Sequence, residues 1–126
     1  MKVSFKRIDK KIALPSLSVK DSVKINLLCR KDTIVNPRGN QLVPANVKMK
    51  LPKGYLGIVI LPENLRRKGL MIQRGAMILD SGDYLDDELC ISIYNLTDER
   101  AIIMSGEVMA QVAFLKAEKA TIQEEK

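Results

Sequence analysis

The stretch AMILDSGDYLDDELCISIYN, residues 76–95, sets Asp80 directly after three apolar residues and follows it with Asp83, Asp86, Asp87 and Glu88 around Tyr84. Carboxylates grouped this way in a basic chain do one of two things. They solvate a hairpin and keep its strands from sticking to neighbours, or they form a site. The chain contains no histidine, which removes the commonest general base along with Ser/His/Asp and Cys/His triads. Hydrolytic chemistry would therefore run on carboxylates, lysines or a metal ion. Cys29 and Cys90 stand far apart with no CxxC spacing, so neither a disulfide framework nor a His/Cys zinc site is expected. The two thiols are expected in the core of a protein from a reducing compartment. The run Arg66, Arg67, Lys68 reads either as a solvated face or as charge for a phosphate group.

The elements that must hold these groups are short. At 126 residues, with 46% hydrophobic residues, the chain suffices for one core and one domain. Apolar runs such as YLGIVIL (55–61) are brief, and MKVSFKRIDKK at the N-terminus lacks a secretory apolar stretch, so a cytoplasmic protein without a membrane partner is expected. The formal charge of +6 suits an anionic partner. Its cations are nonetheless dispersed over Lys2, Lys6, Lys10, Lys20, Lys48, Lys50 and Arg66 to Lys68, whereas nucleic-acid binding gathers charge on one face. Phe5, Phe114, Tyr55, Tyr84 and Tyr94 offer no stacking platform for single strands. A nucleic-acid partner is not expected.

Hydrophobic periodicity predicts strand after strand. In VKINL (23–27), Val23, Ile25 and Leu27 alternate with polar residues, and Val47, Met49 and Leu51 do the same against Lys48 and Lys50. NPRGN and PKGY read as turns, and LGIVIL as a strand buried on both faces. MIQRGAMIL, LCISIYNL, AIIM and VMAQVAFLK follow. Strands at this spacing with Gly, Pro, Asn and Asp between them predict an all-β sandwich or barrel. Helix is confined to ENLRRK, with Asn64 as a candidate cap. The expected division is a β domain over residues 1–116 and a polar tail, KAEKATIQEEK in its setting, over 117–126.

LVPANVKMKLPKGYLGIVI (42–60), MILDSGDYLDDELCISIYN (77–95) and SGEVMAQVAFL (105–115) resemble segments of the trimeric dUTP diphosphatases, in the same order and at nearly the same spacing. The resemblance covers residues 19–115 and implies a jelly-roll-like β-barrel subunit. It also implies a threefold trimer with active sites between subunits, hydrolysing dUTP to dUMP and pyrophosphate with magnesium. The deoxycytidine triphosphate deaminases share that fold, but their glutamate falls at Ser92, which disfavours deamination.

Carried over residue by residue, the resemblance assigns Asp80 to activation of the attacking water and Tyr84 to stacking beneath the deoxyribose. Gln111 matches the amide that reaches a water near the phosphates. Asn26 stands where the family has a metal-shell aspartate, and Pro62 and Glu63, or Glu63 and Asn64, replace its phosphate-gripping arginine and serine. The glycine-rich C-terminal arm with its arginine is absent. The turn holding Asp83 is enlarged, and Arg66 and Arg67 are the candidate substitutes for lost phosphate contacts. The expectation is therefore a catalytically degenerate trimer of phage or viral origin that binds a nucleotide-like ligand or a protein partner and needs no cofactor. The alternatives are an active, magnesium-dependent dUTP diphosphatase, with Asp32 or Asp83 near the metal, and a structural trimer.

Overall fold

The computed structural model describes residues 1–73 and 75–126 and is almost entirely β. Among these residues twelve strands and one short helix follow in the order β1 (Ser4–Arg7), β2 (Ser16–Leu17), β3 (Ile25–Leu28), β4 (Thr33–Val35), β5 (Asn40–Pro44), β6 (Val47–Lys50), β7 (Tyr55–Ile60), α1 (Glu63–Arg67), β8 (Leu70–Ile72), β9 (Met77–Leu79), β10 (Cys90–Asn95), β11 (Ala101–Ile103) and β12 (Val108–Lys116). They pair as a five-stranded sheet β2-β3-β12-β7-β9, a three-stranded sheet β5-β10-β8, and the ribbons β1-β6 and β11-β4. All pairings are antiparallel. The result is a jelly-roll-like β fold, within the all-β class that the strand spacing predicts and of the form that the resemblance implies.

The core lies between the two larger sheets because each presents one apolar face. Leu27, Val59, Leu79 and Val112 are buried from the first sheet, and Val43, Ile91, Ile93 and Leu70 from the second. Along β10 burial alternates without a break, as period-two side chains require. Cys29 is fully buried and Cys90 half-buried, both as free thiols. Burial holds both above the ordinary thiol value near 9.0. A raised pKa contributes stability that is present below the unfolded value and is lost as pH rises through the folded one. Thermal melts should therefore show a lower Tm at about pH 10 than near pH 7; an unchanged Tm would mean the thiols are not protected.

Four sequence expectations change here. Val23 is 75% exposed and precedes β3. LGIVIL is not buried on both faces: Gly57 and Val59 point inward, while Ile58 and Ile60 are exposed. The stretch LVPANVKMKLP is split into β5 and β6 at Asn46, whose φ of 68° breaks the strand and whose side chain instead bonds Asp9 through both amide atoms. Asn64 does not cap α1, since Pro62 occupies the N-cap and no side chain bonds there.

Gly57 is buried on β7 between its cross-strand partners Phe114 on β12 and Leu79 on β9. A Cβ there would sit 3.2 Å from Phe114 and Val112 and 3.3 Å from Leu79. Gly57→Ala is expected to cost about 2 kcal/mol through overpacking, and chemical denaturation would show it as a lower midpoint with an unchanged slope; an unshifted midpoint would refute the tight packing.

Candidate functional site

On the outer face of the five-stranded sheet, a bulge in β12 decides what is displayed. The register slips between Val108 and Ala110, so Met109 and Ala110 are both buried and Gln111 turns outward. Bulges re-aim side chains in this way. Gln111 then lies opposite Asn26 on β3 and Ile60 on β7, and its Nε2 donates to Asn26 Oδ1 at 3.0 Å. The two residues assigned to one end of the ligand therefore meet, and Gln111 is half-exposed rather than a buried core amide.

At the end of β7 the chain enters α1. Pro62 is buried and Glu63 exposed, so the carboxylate is the group this segment offers to solvent. Arg67, one turn later, donates from Nη2 to Glu63 Oε1 at 2.7 Å. Glu107 ties the helix to the turn before β12: it accepts from Asn64 Nδ2 at 3.3 Å and from Met104 N at 2.9 Å, with Lys68 Nζ 3.7 Å away. Arg66, Arg67, Lys68 and Arg100 line an open groove of about 890 Å³. Arg66 also borders a smaller cleft of about 260 Å³ beside Ile60 and Leu61.

The acidic hairpin forms the third group. Asp80 and Asp83 are locked together: Asp80 N donates to Asp83 Oδ2 at 2.8 Å and Asp83 N donates to Asp80 O at 3.1 Å. Asp80 Oδ1 accepts from Ser81 N at 2.8 Å. Gly82 at φ 92° and Tyr84 at φ 56° turn the chain. Tyr84 is half-buried against the core, its carbonyl accepts from Met49 N at 2.9 Å, and its phenol is raised by burial and then by Asp83. The far end of the hairpin is pinned by Arg30, whose Nε and Nη2 grip Glu88 at 2.7 and 3.0 Å. Glu88 Oε2 also accepts from Asn46 N at 3.0 Å, and the carboxylate raises the Arg30 guanidinium further.

Asp80 opens on a cleft of about 570 Å³ whose walls include Lys53, Tyr55, Glu118 and Lys119. The tail is brought there by Ala117 N, which donates to Gly54 O at 2.8 Å. Beyond β12, residues 117–126 carry no regular structure.

Within one chain, then, Asn26 and Gln111 meet, Asp80, Asp83 and Tyr84 share the hairpin, and Arg66 and Arg67 line a separate groove. Among the described residues, none of the clefts above holds all seven. Asp32, read as a group near a metal, instead accepts from Ser105 N at 2.8 Å. Sequence reasoning missed the Arg30–Glu88 clamp, whose partners are 58 residues apart with no shared motif, and it missed Lys53 and Lys119 beside Asp80. Glu107 did carry a signal, since it lies in SGEVMAQ next to the matched Gly106.

Residues 10–126 match the dUTPase family model. The deoxyuridine 5'-triphosphate nucleotidohydrolase of Hydrogenobaculum sp. is 30% identical over 131 aligned positions, covering 100% of this chain and 88% of that protein. The protein of the same name from Dictyoglomus turgidum is 27% identical over 92% of this chain and 81% of its own. Among solved structures, the dUTPase from phage phi11 of S. aureus superposes with a TM-score of 0.85 at 15% identity, over 100% of this chain and 97% of that one. The dUTPase of Streptococcus mutans gives 0.79 at 20% identity, over 93% and 98%. A substituted form of the phage enzyme coordinates a structural Mg(II) ion.

These matches overturn the expectation of a catalytically degenerate protein. The relatives at 30% and 27% identity are bacterial and are named as nucleotidohydrolases, and the family match runs through the tail to residue 126. The carboxylate that replaces the family's phosphate grip, Glu63 in α1, is paired with Arg67 at 2.7 Å rather than left as an unpaired charge.

Proposed function

Since the chain belongs to the dUTPase family, with residues 10–126 matching its model, we propose that it hydrolyses dUTP to dUMP and pyrophosphate. The observation that carries this reading is Asp80: an exposed carboxylate with Oδ1 held by Ser81 N, opening on a cleft that also presents Lys53 and Lys119. The hydrogen bond to Ser81 holds the carboxylate in place, and Oδ2 is left to take a proton from an attacking water. Water adds to the α-phosphorus, the bond from that phosphorus to the bridging oxygen breaks, and pyrophosphate leaves with its charge compensated by cations. Arg66 and the lysines of the Asp80 cleft are the groups available to supply that charge, since Arg67 is engaged by Glu63. Tyr84 offers its ring to the sugar, and the hairpin backbone around Asp83 would read the base.

Magnesium fits this chemistry. Among the described residues no group of three His, Cys, Asp or Glu is placed to cage a metal. A Mg²⁺ ion keeps several waters and enters with substrate phosphates, so it needs no such cage. Asn26 and Gln111, paired through their side-chain amides, would hold it through its waters; when bound, the ion neutralises phosphate charge.

The active unit we propose is a homotrimer. Its support is the separation of the three residue groups on one chain, together with an outer sheet face on which Ile58, Ile60, Ile78 and Leu115 are exposed and the cross-strand pairs include Ile58 with Ile78. Light scattering should give three times the 14.1 kDa chain mass; a monomer with full activity would refute the shared site. Two free thiols support a reducing, cytoplasmic setting, and no described helix is long and apolar enough to cross a membrane. The deciding assay is pyrophosphate release from dUTP with magnesium, with dCTP and dTTP as comparisons. Absence of release from dUTP at high protein concentration would sink the proposal.

A further inference from the structure

The lysines that the sequence scatters are gathered by the β1-β6 ribbon. Lys6 lies directly across from Lys48, and Ser4 across from Lys50. Because residues two apart share a face, Lys6, Lys48 and Lys50 project together on the outer side, while Phe5, Val47 and Met49 turn to the core. Lys6 and Lys50 are exposed and Lys48 half-buried. Like charges directly opposed across a strand pair are destabilising. Among the described residues none of the three forms an ion pair, and neither does the nearby Lys53. A bound anion relieves that repulsion.

Two shallow clefts extend the basic surface. One of about 200 Å³ lies between Lys6, Lys48, Lys50 and Leu85, and one of about 310 Å³ between Lys50, Lys53 and Leu85. The lysines repeat every second residue along β6, about 7 Å apart, close to the separation of successive phosphates on a nucleic-acid strand. We propose that this ribbon binds the phosphodiester backbone of nucleic acid. Phe5 is half-buried against the core and lines the smaller cleft; with no fully exposed aromatic ring among the residues of this surface, the contact is independent of sequence and governed by salt. The acids of the neighbouring hairpin, Asp83, Asp86 and Asp87, flank Leu85, which lines both clefts, and limit the basic surface on that side. This departs from the sequence expectation that no nucleic acid is bound, which rested on charge dispersed along the chain, because pairing of β1 with β6 sets Lys6 beside Lys48. This inference does not depend on the proposed hydrolysis.

The test is fluorescence anisotropy of the full chain with single-stranded and duplex DNA of one sequence, titrated with salt. A triple variant, Lys6→Gln with Lys48→Gln and Lys50→Gln, is compared with Lys10→Gln with Lys11→Gln and Lys20→Gln, which removes the same charge elsewhere. The ribbon variant should bind at least about tenfold more weakly at low salt, and its slope of log K against log salt should be shallower by about 2 for single strands or about 3 for duplex. The control should bind as the parent does, and replacement of the ribbon lysines by arginine should preserve binding. Stronger retention of the single strand or of the duplex identifies which form the ribbon takes. No binding by the parent, or equal weakening in both triple variants, would overturn the inference.

Discussion

Asp80→Asn is expected to lower pyrophosphate release from dUTP by about 10²- to 10⁴-fold, the range that general-base catalysis commands. The substitution is close to isosteric, and the carboxamide oxygen can still accept from Ser81 N as Asp80 Oδ1 does at 2.8 Å. The backbone exchange with Asp83 involves Asp80 N and O, not its side chain, so the hairpin should keep its shape and the Tm should hold. Only the capacity to take a proton from water is lost. The loss should therefore fall on kcat, with KM nearly unchanged. A rate within about threefold of the parent would remove Asp80 from the mechanism, and a drop accompanied by a lower Tm would assign the effect to folding.

Glu88→Ala should cost about 3 kcal/mol of stability, because it strands a cation and an amide together. The Glu88 side chain is 16% exposed and that of Arg30 is 29% exposed, so the pair is shielded from water on most sides. Removing the carboxylate leaves the Arg30 guanidinium without its bidentate acceptor and Asn46 N without the bond it donates at 3.0 Å. A fall in Tm of roughly 10 °C would follow for a chain of this size. The clamp sits at the end of the hairpin opposite Asp80, so loosening it should also raise KM for dUTP as Tyr84 loses its fixed position. Glu88→Gln, with its amide oxygen at the Oε2 position, still accepts from Arg30 Nε and Asn46 N and should lie between. Asp98→Ala is the matching control, since its pair with Arg38 is 85% and 60% exposed and such pairs contribute little. If Glu88→Ala proved no more harmful than Asp98→Ala, the clamp would have no structural role.

Most of the fold was legible because strand patterning is local. The alternation around Val47 and Met49, and that along β10, needs only neighbours two residues apart, and the structure places Val47, Met49, Ile91 and Ile93 in the core. Asp80 and Tyr84 were legible as residues worth singling out for the same reason, since they share a short turn. What local pattern does not encode is which face of a strand meets the core at its ends. Ile58 and Ile60 look no different from Val59, yet the pleat turns them outward.

The sequence alone determined the all-β class, the hairpin and the absence of histidine chemistry, because composition and period-two spacing act over a few residues. Tertiary structure alone decided the rest. The β12 bulge brought Gln111 to Asn26 across 85 residues, Arg30 found Glu88 across 58, and pairing of β1 with β6 set Lys6 against Lys48. Each of these depends on register, and register is settled by which apolar faces bury together, a property of the whole sheet rather than of any one segment.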